Sequence, residues 1–194
     1  MPGRQAQIDR STTETQVHCQ VDLDGTGASQ IETGIGFLDH MLCHLARHSS
    51  IDIQIKARGD LHVDAHHTVE DVGICLGQAL DKALGNKAGI ARFGTGSVPM
   101  EDALAHVAVD LSGRPYCVHN VRYPSTHIGQ LDVECLEQFL RAMSNSGRFN
   151  LHVNVPYGSN SHHIAEAIFK ALGQALGQAV RITGHQVPST KGIL

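Results

Sequence analysis

HHTVEDVGICLGQAL spans residues 66–80, and HHIAEAIFKALGQAL spans residues 162–176. The two stretches share both histidines, the glutamate four residues after the first of them, and the run Leu-Gly-Gln-Ala-Leu. Working outward, VDLDG (21–25) pairs with VDLSG (109–113), FLDHML (37–42) with CLEQFL (135–140), and DLHV (60–63) with NLHV (150–153), in the same order each time. Self-similarity of this kind marks a duplicated architecture. The expectation is a single domain over 1–194, with pseudo-repeats at approximately 7–91 and 92–184 and a C-terminal tail at 185–194.

Each half follows one plan. Val17, Cys19, Val21 and Leu23 alternate with polar residues, as do Val107, Val109 and Leu111, which predicts strands. Leu38, Met41, Leu42 and Leu45 fall at i, i+3, i+4 and i+7, one apolar helical face, and 132–146 supplies the counterpart. Ile51, Ile53 and Ile55, and later Leu151, Val153 and Val155, predict a second strand in each half. A helix opening on His-His closes each unit. The fold class is therefore α+β, and the Gly-rich stretch RFGTGSVPMEDAL (92–104) reads as the joint between the halves.

Composition limits the function classes. The chain has 194 residues, 41% of them hydrophobic, and a net charge of −4. No polybasic surface points to nucleic acid or an anionic membrane. No apolar run reaches membrane-span length, and MPGRQAQIDRSTTET lacks the apolar core of a secretion signal. Five scattered cysteines without a C-x-x-C favour free thiols, so the expected compartment is the cytoplasm. The fourteen histidines are the unusual feature, because imidazole is a common metal ligand and proton carrier.

On a helix, positions i and i+4 share a face, whereas i and i+1 diverge by about 100°. His66 with Glu70, and His162 with Glu166, can each grip one ion. His67 and His163 point elsewhere and are free to complete sites crosswise. A single copy of the pattern would more often cap or pack a helix; two copies in matching context predict two similar metal sites. The mixed imidazole and carboxylate donors suit Mn, Fe, Co, Ni or Zn alike. His40, His44 and His48 form a further stripe at i, i+4 and i+8. His44 also reads as part of a solvated face. His40 is the stronger ligand candidate and occupies the repeat position of Gln138.

The motifs RSTTET (10–15), LDGTG (23–27), TGIGFLDHML (33–42), GDLHVDAHHTVEDVGICLGQAL (59–80), SGRP (112–115), NSHHIAEAIFKA (160–171) and PSTKG (188–192) together resemble the imidazoleglycerol-phosphate dehydratase family, in its single-function form. The resemblance implies a duplicated α+β fold of the ribosomal protein S5 domain 2 type. It also implies a homo-oligomer, a cage of twenty-four subunits with two manganese ions per active site at subunit contacts. It assigns His40, His66, Glu70 and His163 to one ion and His67, His162 and Glu166 to the other. Gln138 departs from the pattern, standing where many members carry a metal-binding histidine.

The implied reaction removes water from D-erythro-imidazole glycerol phosphate, through a metal-bound imidazolate and a diazafulvene, to give imidazole acetol phosphate. The ring is the only electron sink, since no carbonyl flanks the proton removed. Glu14 and His48 are the acid/base candidates, with Glu70 and Glu166 as further carboxylates at the ions. His40, Arg92, Arg114, Lys170, Ser189 and Lys191 complete the substrate-binding set, and the phosphate needs the cations among them. Two other classes fit the histidines: a two-metal phosphate-ester hydrolase and a non-enzymatic metal-binding cage. The absence of an aspartate-rich ligand set weighs against the first. The combination of Glu14, Arg92, Arg114 and Lys191 has no role in the second.

Overall fold

The computed structural model describes residues 3–194. The first half runs β1 (Gln5–Ser11), β2 (Thr15–Asp22), β3 (Ser29–Glu32), α1 (Gly36–Ser49), β4 (Asp52–Gly59) and α2 (His66–Leu84). The second runs β5 (Phe93–Met100), β6 (Ala103–Asp110), β7 (Tyr116–Asn120), a two-residue-strand hairpin of β8 (His127–Ile128) and β9 (Leu131–Asp132), α3 (Glu134–Gly147), β10 (Asn150–Tyr157) and α4 (Ser161–Ala179). The sheets have matching strand orders, β1-β2-β4-β3 and β5-β6-β10-β7. In each, the last strand of the half pairs antiparallel with one neighbour and parallel with the other.

Alternation along the strands buries one face of each sheet; β2 reads buried, exposed, buried from Thr15 onward. The buried faces meet helices. α2 lies on β1 and β2, and α4 lies on β5 and β6, each covering its own sheet. The helices then pair across the halves: α2 packs on α3, and α1 on α4. Both contacts are close because a glycine stands at each. A Cβ on Gly77 would lie 2.4 Å from the Met143 carbonyl oxygen, and one on Gly173 would lie 3.0 Å from that of Leu45. Met143 and Leu45 are each the tenth residue of their helix, so the two crossings are related by the duplication. One continuous apolar core results, from Val17 and Leu38 through Phe139 and Leu172.

The expected joint at 92–104 is corrected by the structure. Phe93–Met100 is a full strand, paired residue by residue with β6. Its glycines serve close approach rather than turning: a Cβ on Gly94 would sit 1.9 Å from the Ala175 carbonyl oxygen, and one on Gly96 2.1 Å from that of Ala171. α4 lies directly on the strand there, and only a residue without a side chain fits. β1, β3 and β7 are likewise elements beyond the coarse plan.

Candidate active site

α4 begins where Asn160 turns extended and its side-chain oxygen accepts the backbone N–H groups of His162 and His163. This cap fixes the first turn, and the i,i+4 spacing places His162 Nε2 3.2 Å from Glu166 Oε2. α1 crosses this turn. Its apolar face (Leu38, Met41, Leu42, Leu45) is buried, which turns His40 and His44 toward α4. His40 Nε2 lies 3.4 Å from Glu166 Oε2, and His44 Nε2 lies 3.4 Å from Glu166 Oε1. The Phe37 ring packs edge-on against His162, with ring centres 5.1 Å apart.

His40, His162 and Glu166 thus form the one three-residue donor cluster of metal-ligand type among the described residues, with their ligating atoms all within 4.8 Å of one another. Two imidazoles and a carboxylate at that spacing fit a divalent transition ion. Glu166 is almost wholly buried, at 6% exposure. Burial by itself would raise its carboxyl. The Lys170 ammonium 2.6 Å from Oε1, together with His44 and His162, outweighs that and holds the pKa down to about 2. Lys170 and His44 address one carboxylate oxygen and His40 and His162 the other, so the second oxygen is turned to the cluster. Burial lowers the His44 and His48 pKa values, with Lys170 contributing in both.

Within the chain α1 rests on α4, so His40 meets His162 and Glu166, and the grouping of His40 with His66 and Glu70 that the resemblance implied is not formed inside one copy. The duplication makes the complementary statement about Gln138. His40 and Gln138 are each the fifth residue of their helix, and α3 crosses α2 as α1 crosses α4. By that equivalence Gln138 stands on the face of α3 that crosses α2, toward the helix end that carries His66 and Glu70. His66, His67 and Glu70 are half-buried there.

The odd histidines diverge as the helical geometry requires. His67 Nδ1 lies 3.0 Å from Asp60 Oδ2, which raises its pKa, and 3.8 Å from Glu14 Oε2. His163 Nδ1 lies 2.5 Å from Asp102 Oδ1. Neither Asp60 nor Asp102 was expected from the sequence. Asp102 lies at the β5–β6 turn, inside the stretch read as a joint. Asp60 follows β4 in GDLHVDAHH and carried no spacing signal.

Glu14 is held by a local device. The Thr12 hydroxyl accepts the backbone N–H groups of Glu14 and Thr15. The Thr15 hydroxyl and the Arg10 guanidinium both bind the buried carboxylate of Asp71 on α2. The β1–β2 turn is thereby tied to the helix that carries His66 and His67. His48 is exposed, one turn beyond His44, with the two rings stacked at 5.9 Å between centres.

The phosphate candidates gather elsewhere. Arg92 adopts a left-handed conformation, φ 71, and its guanidinium binds Asp110 and the Pro188 carbonyl oxygen. The tail is thereby docked: Gly89 N–H bonds the Gln186 carbonyl, and the Ser189 hydroxyl accepts the Lys191 N–H. Arg114 is exposed on the adjoining loop, and Gly113 lies against Leu194. Arg92 N–H bonds the carbonyl of Ala179, the last residue of α4. The metal-type cluster sits on the first turn of the same 19-residue helix, which at 1.5 Å per residue is roughly 28 Å long. Within one chain, the candidate metal and phosphate groups lie at opposite ends of α4.

Residues 33–176 match the family model described as imidazoleglycerol-phosphate dehydratase. The chain is 58% identical over 192 residues to the imidazoleglycerol-phosphate dehydratase of Desulforudis audaxviator, covering 98% of both, and 53% identical over 194 residues to that of Moorella thermoacetica, covering 99% of both. The crystal structure of the Staphylococcus aureus imidazoleglycerol-phosphate dehydratase superposes with a TM-score of 0.84 at 39% identity, over 92% of this chain and 99% of that one. This chain belongs to the imidazoleglycerol-phosphate dehydratase family.

Proposed function

We propose that this chain is a hydro-lyase of histidine biosynthesis that converts D-erythro-imidazole glycerol phosphate to imidazole acetol phosphate, at sites completed between copies of the chain. The observation that carries the reading is the convergence of His40, His162 and Glu166 at the start of a helix whose far end holds Arg92 and the docked tail. That separation is several times the reach of a three-carbon phosphate bearing one five-membered ring. A substrate held by both ends must therefore take them from different copies, which supports a homo-oligomer and is consistent with a cage of twenty-four.

His40, His162 and Glu166 would hold one Mn2+, with His67 of another copy as a further donor. His66, Glu70 and Gln138 would hold the second, joined by another copy's His163. Ions held there would supply the Lewis acidity that makes an imidazole ring an electron sink. Every other task falls to the chain. Lys170 neutralises Glu166 and orients its free oxygen toward the ligand cluster. Glu14, half-exposed and tethered through Thr12 and Thr15, is the carboxylate that removes the proton next to the departing hydroxyl; His48 is the second candidate for proton traffic. Arg114, Ser189 and Lys191 grip the phosphate, while Arg92 braces the tail that presents them. The tail, 185–194, follows the second pseudo-repeat, and the five free cysteines suit the reducing cytoplasm.

The test is reconstitution of chelator-treated protein with Mn2+, Fe2+, Co2+ or Zn2+, with ketone product, free phosphate and bound metal measured together. The expected result is imidazole acetol phosphate without phosphate release, and two ions per chain. Phosphate release in place of the ketone would reassign the site to a hydrolase. Two tightly bound ions with no turnover would leave a metal-binding cage.

A further inference from the structure

We propose that Asp102 is a positioning residue that fixes the tautomer of His163, and that Asp60 does the same for His67, so that each ring offers its Nε2 lone pair outward to a metal site of another copy. The inference rests on the metal-dependent reading above and deepens it.

The two aspartates reach the two odd histidines from unrelated places. Asp60 follows β4, three-dimensionally beside the first turn of α2, and its Oδ2 lies 3.0 Å from His67 Nδ1. Asp102 lies at the turn between β5 and β6, and its Oδ1 lies 2.5 Å from His163 Nδ1. A carboxylate only accepts, so each Nδ1 carries the proton, and the neutral ring then holds its lone pair on Nε2. Nε2 is then the ligating atom, the arrangement in which an outer carboxylate sets ring orientation and raises ligand basicity. The same feature thus arises at both odd histidines by different routes, although nothing in the duplicated sequence requires it.

Asp102 has no freedom to do otherwise. Its second oxygen, Oδ2, accepts the backbone N–H of Ser159 (2.5 Å), the Ser159 hydroxyl (2.8 Å) and the backbone N–H of Asn160 (2.9 Å). Asn160 in turn caps α4 through the N–H groups of His162 and His163. One side chain therefore ties the β5–β6 turn, the loop ahead of α4 and the His163 ring into one unit. An asparagine at 102 must place its carbonyl oxygen where those three donors converge. Its amide N–H group then faces His163 Nδ1 and accepts no proton from it. The ring is driven to the Nε2–H tautomer, which cannot ligate. Asp60 differs: its Oδ1 is buried without a partner. An asparagine there can turn its oxygen to His67 and leave the tautomer intact.

The two positions therefore respond differently to the same isosteric change. Mn2+ is titrated calorimetrically into chelator-treated wild type, Asp102→Asn, Asp60→Asn and Asp60→Ala, with thermal midpoints of the metal-free proteins and turnover at saturating Mn2+ measured in parallel. In Asp102→Asn, one of two ions is expected to bind ~10–100-fold more weakly, with the metal-free midpoint nearly unchanged and turnover recovering at high Mn2+. Asp60→Asn is expected to bind within about threefold of wild type, and Asp60→Ala to lose affinity like Asp102→Asn. Wild-type affinity in Asp102→Asn and Asp60→Ala overturns the proposal. So does a loss in Asp102→Asn that saturating Mn2+ does not rescue, since that is damage to the fold. A wild type that binds no Mn2+ would instead sink the metal-dependent reading itself.

Discussion

Replacing Lys170 by methionine isolates one electrostatic contact with a calculable effect. The Lys170 ammonium lies 2.6 Å from Glu166 Oε1, with side-chain exposures of only 19% and 8%. The Glu166 carboxyl titrates near 2 rather than at its ordinary 4.5, a difference equivalent to ~3 kcal/mol in favour of the charged form. Burial opposes that depression, and Lys170, His44 and His162 together produce it, so losing Lys170 is expected to cost on the order of 2 kcal/mol. For a chain of this length that corresponds to a fall in Tm of ~4–8 °C. The group's folded pKa lies below its unfolded one. The stabilisation is therefore complete above pH 4.5 and fades as pH falls from 4.5 toward 2. The measurement is thermal unfolding of metal-free wild type, Lys170→Met and Lys170→Arg at fixed protein concentration, from pH 7 down to pH 3. The expected gap between wild type and Lys170→Met is full at pH 7 and narrows below pH 4.5, and Lys170→Arg recovers most of it. No gap at pH 7, or one that stays constant across the range, would refute the reasoning and leave Lys170 as packing alone.

Gln138→His should tighten the ion assigned to His66 and Glu70 by about tenfold or more, since imidazole is a better donor than an amide oxygen for a borderline ion; a Mn2+ titration that matches wild type would place residue 138 outside that site. Lys191→Ala and Arg114→Ala should raise KM several-fold with normal metal content, because a phosphate grip is remote from the reacting carbons, and unaltered KM in both would remove them from the phosphate site. Chelation should lower the assembled mass seen by light scattering, since ligands supplied between copies make metal binding part of assembly; an unchanged mass would show that contacts without metal suffice.

The duplication was legible because it is written in local terms. An i,i+4 pair needs only one helix, and His162 with Glu166 meets at 3.2 Å on α4. The alternation of Val17, Cys19 and Val21 likewise declared a half-buried strand. Gly94 and Gly96 misled because glycine has two uses. It turns chains, and it admits another backbone; only the position of α4, with the Ala175 and Ala171 carbonyl oxygens where two Cβ atoms would stand, decides between them.

The sequence by itself determined the family, the two His-His helices and the residue types offered as candidate metal donors. Motif spacing survives without coordinates, since each motif is contiguous along the chain. The tertiary structure alone decided which helices meet. Four equivalent-looking amphipathic helices can pair in more than one way, and the buried apolar faces, with Gly77 and Gly173 at the crossings, select α2 on α3 and α1 on α4. That choice moved His40 to His162 and Glu166. It also brought Asp102, more than sixty residues before His163, within hydrogen-bond reach, by a contact between segments far apart in sequence. The separation of Arg92 from His162 by the full length of α4 is of the same kind: a helix keeps its ends apart, whatever their shared chemistry along the chain.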